Sequence, residues 1–167
     1  ALPHFGNRLV SIGFKWMGNP VMYLCFHHAD REPSKDAFNI FQDALNLADV
    51  VVGQNIKFDL QWAKSCGFKY DGPVYDTILA KARRWPLGLA AIAEKYGGVQ
   101  KEKDLVAPYL KSGTTFYDIP WDIVEEYGKA DVAATEHVAL EQMKAFGTTF
   151  EELYSGKPTH THIKAIA

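Results

Sequence analysis

Residues 8–16 (RLVSIGFKW) send alternate side chains to opposite faces of an extended chain and are rich in β-branched and aromatic types. That is the pattern of a half-buried strand. Gly18-Asn19-Pro20 supplies a turn and residues 21–26 (VMYLCF) a second apolar run, so the two segments predict an antiparallel hairpin. A polar loop over 27–33 leads to Ser34, the expected N-cap of a helix over 35–47 whose apolar face carries Phe38, Phe41, Ala44, Leu45 and Ala48. The short run Asp49-Val50-Val51-Val52-Gly53 has the composition of a buried parallel strand.

Strands and helices then alternate. A helix is predicted over 56–66, stopped by Gly67, and residues 74–76 (VYD) form an extended piece. Helices are expected over 77–84 and around Leu89, Ile92, Ala93 and Tyr96, the second ended by Gly97-Gly98. Residues 99–117 read as a polar, mobile loop with one helical turn. Pro120 opens a long helix to about residue 145, with Asp122, Glu125 and Glu126 favoured by the dipole at its start. The expected organisation is one α/β domain over 1–154 followed by an unstructured polar tail over 155–167, without internal repeats.

A chain of 167 residues is long enough for one domain with a real core. Its net charge of −2 argues against wholesale coating of nucleic acid, although a local site in which metal ions supply positive charge stays open. Cys25 and Cys66 read as reduced thiols rather than a disulfide framework. No apolar run approaches the length of a membrane span, so no membrane partner is expected. The setting expected is cytoplasmic, in a bacterial or phage-infected cell. The sequence enters its first strand almost at once from Ala1, not Met, and reads as a fragment of a longer protein.

Two segments carry candidate chemistry. Asn55 and Asp59, and separately Tyr127 and Asp131, stand four residues apart, which on a helix puts each pair on one face. Two such faces aimed at one point would make a carboxylate site for Mg²⁺ or Mn²⁺ against a phosphate. Taken singly, each pair is more often a cap or a solvated surface pair. Asp76 reads as the cap of the helix starting at Thr77, and His27-His28 point to opposite faces of a strand, unlike a metal pair. His137 reads as helix surface or packing, and His160 and His162 as tail. Phe58, Trp62, Trp85 and Trp121 are core candidates, with Phe58 also placed to stack on a splayed 3′ base at a site rim. Arg83, Arg84, Lys101 and Lys103 read as solvated more than as phosphate contacts.

The segments Gly53–Asp59, Tyr75-Asp76-Thr77, Leu89–Tyr96 and Tyr127–Asp131 with Val132-Ala133-Ala134-Thr135 follow one another in a familiar order. Over roughly residues 5–146 the chain resembles the 3′–5′ proofreading exonuclease domain of family A DNA polymerases, the DEDDy branch of the DnaQ-like exonucleases. The resemblance implies a ribonuclease-H-like fold, a mixed five-stranded sheet with flanking helices. It also implies two Mg²⁺ or Mn²⁺ ions, a single-stranded DNA 3′ end as substrate, nucleoside monophosphates as product and a covalently linked or associated polymerase domain. By the same resemblance Asp59 helps hold the second metal, Asn55 positions the terminal nucleotide, Asp131 is a direct metal ligand and Tyr127 orients the attacking water.

One motif of the family is missing. An Asp-x-Glu should lie on a first, central strand just before residue 8, yet no Asp or Glu precedes Asp30. The expectation is a gap between the hairpin and the strand near Val50, with residues 1–5, interrupted by Pro3 and His4, a poor filler for it. The chain alone is then expected to be inactive as a nuclease. The rival reading is a non-catalytic exonuclease-like domain serving a polymerase as scaffold or DNA-binding module.

Overall fold

The computed structural model describes residues 6–79 and 105–154. Strand β1 (Ser11–Phe14) pairs antiparallel with β2 (Met22–Cys25), Ser11 opposite Cys25 and Gly13 opposite Tyr23. Helix α1 (Ala37–Leu47) leads to β3 (Val51–Gly53), then α2 (Ile56–Ser65) and β4 (Val74–Asp76), which runs parallel to β3. The short helix α3 (Ala107–Lys111), the long helix α4 (Trp121–Phe146) and α5 (Phe150–Tyr154) follow. Helices expected beyond residue 79, around residues 89–96, and the tail after residue 154 lie outside the described residues.

The alternation of side chains along the strands builds two apolar layers. On one face Ile12, Phe26 and Val51 join Leu45 of α1, Ala63 of α2 and Phe68 in one cluster, with Phe41 and Phe38 packed on Phe68 at ring distances of 5.0 and 4.3 Å. On the other face Val50, Val52 and Tyr75 meet Ala139 and Met143 of α4, while Tyr23 packs beside Val124. The result is helix, strand, helix, with α4 lying across β1, β2 and β3. This mixed α/β arrangement is compatible with a ribonuclease-H-like fold.

The four strands form two separate ladders, β1–β2 and β3–β4. Among the described residues no backbone ladder joins the hairpin to β3, although Ile12 of β1 and Val51 of β3 share a cluster.

Helix ends show how local sequence sets boundaries. After α2, Gly67 takes a left-handed conformation (φ 94°). Its N–H donates to the Lys64 carbonyl at 3.1 Å, and that of Phe68 to the Ala63 carbonyl at 3.0 Å. This paired closure tucks Phe68 back against Ala63 in the core. Gly147 closes α4 in the same way, through Lys144 and Met143.

One expected cap is corrected. Helix α1 starts at Ala37, behind Asp36 in the left-handed region, and Ser34 does not cap it. The Ser34 hydroxyl instead accepts the Cys25 N–H at 3.0 Å, while the Ser34 N–H donates to the Cys25 carbonyl at 2.9 Å. The buried Cys25 backbone at the end of β2, which needs partners for its N–H and carbonyl, claims Ser34 first.

Candidate active site

The β3–α2 turn is tight because Gly53 carries no side chain. A Cβ there would lie 3.0 Å from Ile56 Cβ. Asn55 then sits in the left-handed region (φ 54°, ψ 42°), which Asn tolerates better than most residues. Its side chain does not cap the helix. The cap comes from another strand. Asp76, at the end of β4, accepts the N–H groups of Asn55 (3.0 Å), Ile56 (3.1 Å) and Ile78 (2.9 Å). Asp76 thus satisfies donors that α2 would leave orphaned and places negative charge where the helix dipole favours it. Asp76 accepts the Ile78 N–H, as a cap at Thr77 requires, and the same carboxylate also serves the start of α2.

Asp59 lies one turn into α2. Its residue surface is exposed, yet enough protein surrounds the carboxylate for desolvation to push its pKa up to about 6. The negative charge of Asp76 adds to the rise, and a hydrogen bond from its own backbone opposes it. Phe58, beside it, is 40% exposed, so this aromatic is on the surface and outside the core. Trp62 is half-buried.

Tyr127 and Asp131 are half-buried on α4. Their helix face is set by the hairpin. Val124, Gly128 and Val132 recur at intervals of four and meet β1 and β2: the Tyr23 hydroxyl donates to the Val124 carbonyl at 3.2 Å. A side chain at Gly128 would strike the Tyr23 ring, and one at Gly13 would come within 2.9 Å of that ring and 3.1 Å of Val132. Ser11 Oγ lies 2.8 Å from the Tyr23 hydroxyl. Burial raises the Tyr23 pKa, the Ser11 bond opposes this, and the charges of Glu125 and Asp131 raise it further. Tyr127 packs against the cluster of Val106, Ile119 and Val124, with the Phe116 ring 6.3 Å away. Thr135 Oγ1 donates to the Asp131 carbonyl at 2.8 Å.

The remaining candidates take structural roles. His28 is buried and bonds the Ile119 carbonyl through Nε2 at 2.8 Å, with Asp30 2.6 Å from Nδ1. Asp30 also accepts the Trp121 N–H at 3.3 Å, at the start of α4. His27 stacks on Tyr117 with ring centroids 4.6 Å apart. Trp121 is buried and donates to Glu125 at 2.9 Å. Trp85, Arg83, Arg84, Lys101, Lys103, His160 and His162 lie outside the described residues.

The structure therefore gathers Asn55, Asp59 and Asp76 at the start of α2, and Tyr127 and Asp131 beside Tyr23 on α4. Among the described residues no group of three or more His, Cys, Asp or Glu is arranged to hold a metal, and no helix is long and apolar enough to cross a membrane. Asp76 and Tyr23 were not singled out as site supports in the sequence. Gly128 was the available signal, because a mid-helix glycine costs about 1 kcal/mol relative to alanine and calls for a packing reason.

Over residues 5–144, most of its length, the chain matches the family model described as 3′–5′ exonuclease, that of the family A DNA polymerases. The chain belongs to this exonuclease family. Membership makes it a 3′–5′ exonuclease domain of the polymerase A family, a nuclease class that depends on divalent metal, acts on DNA and is linked to a polymerase. Among curated proteins none matches significantly.

Proposed function

We propose that this exonuclease domain removes the terminal nucleotide from a single-stranded DNA 3′ end by metal-assisted hydrolysis and so proofreads for an attached polymerase. The family match over residues 5–144 carries the reading, since it spans the segments holding Asn55, Asp59, Tyr127 and Asp131. Water forms the new P–O bond, the P–O3′ bond breaks, and a nucleoside monophosphate leaves.

The donor chemistry fits the family's metal, because carboxylate oxygens are the hard ligands that Mg²⁺ and Mn²⁺ take. Asp59 and Asp131 would hold the ions. Two carboxylates fill only part of the coordination of two ions, and water and substrate phosphate oxygens would supply further ligands. Bound metal would supply Lewis-acid stabilisation of the charge on the attacking and leaving oxygens. Tyr127 would orient the attacking water through its hydroxyl. Asn55, held in its left-handed turn, would position the terminal nucleotide, and the exposed Phe58 ring would stack on its base.

The unlinked ladders support a structural corollary. A strand inserted between β1 and β3 would pair the edges of both that have no ladder among the described residues, and the family's Asp-x-Glu motif on it would supply further acids. The described residues alone would then bind metal weakly and cleave DNA poorly. Asp131→Ala in the protein as its gene encodes it tests the site: release of monophosphates from a 3′-labelled oligonucleotide should be abolished, and wild-type release would place the ligands elsewhere.

A further inference from the structure

We propose that Tyr23 is a positioning residue for the exonuclease reaction, its ring seated on Gly128 so that the Tyr127–Asp131 turn of α4 stands at a fixed depth over the hairpin. This inference rests on the functional reading above, which assigns the chemistry to that turn. Tyr23 lies opposite Gly13 in the β1–β2 ladder, and the missing side chains at Gly13 and Gly128 leave room for its ring between strand and helix. Alanine at Gly128 would force its Cβ into contact with Cε2, Cζ and Oη of the ring, far inside the 3.5–4.0 Å at which carbon atoms pack.

The hydroxyl is held as well. It donates to the Val124 carbonyl at 3.2 Å and lies 2.8 Å from Ser11 Oγ. That carbonyl is the one whose helical partner is the N–H of residue 128. Ring and hydroxyl thus fix the same helical turn from two directions. The candidate groups flank it, Tyr127 one residue before Gly128 and Asp131 three residues after. A side chain at Gly128 must lift α4 or displace Tyr23, and either movement shifts Tyr127 and Asp131 relative to the sheet.

A double-mutant cycle in the gene-encoded protein tests this, read by steady-state hydrolysis of single-stranded DNA with Mn²⁺ and by denaturant unfolding. Gly128→Ala should lower the unfolding midpoint with Tyr23 present and raise it in the Tyr23→Ala background, where alanine's helix preference is no longer opposed. Below its unfolding transition, Gly128→Ala should lose turnover on the order of tenfold or more with KM little changed. Tyr23→Phe, which keeps the ring, should retain most of the turnover that Tyr23→Ala loses. Additive effects on the midpoint would overturn the seat. Wild-type turnover in folded Gly128→Ala would reduce Tyr23 to packing and overturn the positioning role. Absence of hydrolysis by the wild-type protein would instead overturn the functional reading, with the unfolding cycle still deciding the seat.

Discussion

At the scale of single residues, the four-residue spacings of Asn55 with Asp59 and Tyr127 with Asp131 were visible in the sequence. Tyr127 and Asp131 lie on one helix as that spacing requires, whereas Asn55 is the left-handed residue just before α2 and only Asp59 lies on that helix. The electrostatic setting of Asp59 was not visible, because it depends first on burial by the folded surroundings and then on the charge of Asp76, 17 positions further on. A carboxyl whose pKa is raised in the folded state gains a proton on folding, so its ionised form opposes the fold. In metal-free protein the stability should fall as pH rises from about 4 through about 6 and stay low above that. Asp59→Asn should flatten that part of the profile, measured by urea unfolding in chelator between pH 4 and 8; an unchanged profile would assign the dependence to other groups. Tyr127→Phe should be milder than loss of a ligand, a drop of about 10- to 100-fold in turnover, because the ring stays packed against Val124 and Ile119 and only the hydroxyl goes.

At the scale of elements, most strands and helices followed from local signals. The Gly18-Asn19-Pro20 turn lies between β1 and β2, Gly67 ends α2, and Pro120 stands at the start of α4. Ser34 was misread, because the end of β2 claims it in place of α1, and Asp76 adds a helix across the ladder to its local bond with Ile78. Asp76→Ala removes the acceptor of three backbone N–H groups and should destabilise the protein by about 1–2 kcal/mol, with Asp76→Glu recovering only part. Phe68→Ala should cost about 3–5 kcal/mol, because Phe68 is 3% exposed and is the centre on which Phe26, Phe38 and Phe41 converge. Chemical denaturation of both variants checks these values, and a loss below about 1 kcal/mol for Phe68→Ala would show that the cluster is not central to the fold.

At the scale of the whole molecule, two helix layers enclose two ladders that share side-chain clusters but no backbone pairing among the described residues. The alternation of strands with helical patterns made the α/β class legible. The hairpin pairing of β1 with β2 was legible from the two apolar runs and the turn between them, whereas the neighbours of strands distant in sequence were not, since such pairing depends on backbone edges that carry no sequence signature. The gap expected between the hairpin and β3 rested on the resemblance. The central claim is that the domain hydrolyses DNA from the 3′ end with divalent metal. The most direct test is incubation of the gene-encoded protein with single-stranded DNA labelled at its 5′ end, in Mg²⁺ and in excess EDTA. The account expects a ladder of products shortened one nucleotide at a time from the 3′ end, with monophosphates released, in Mg²⁺ alone. Equal digestion in EDTA, or an intact strand under both conditions, would contradict it.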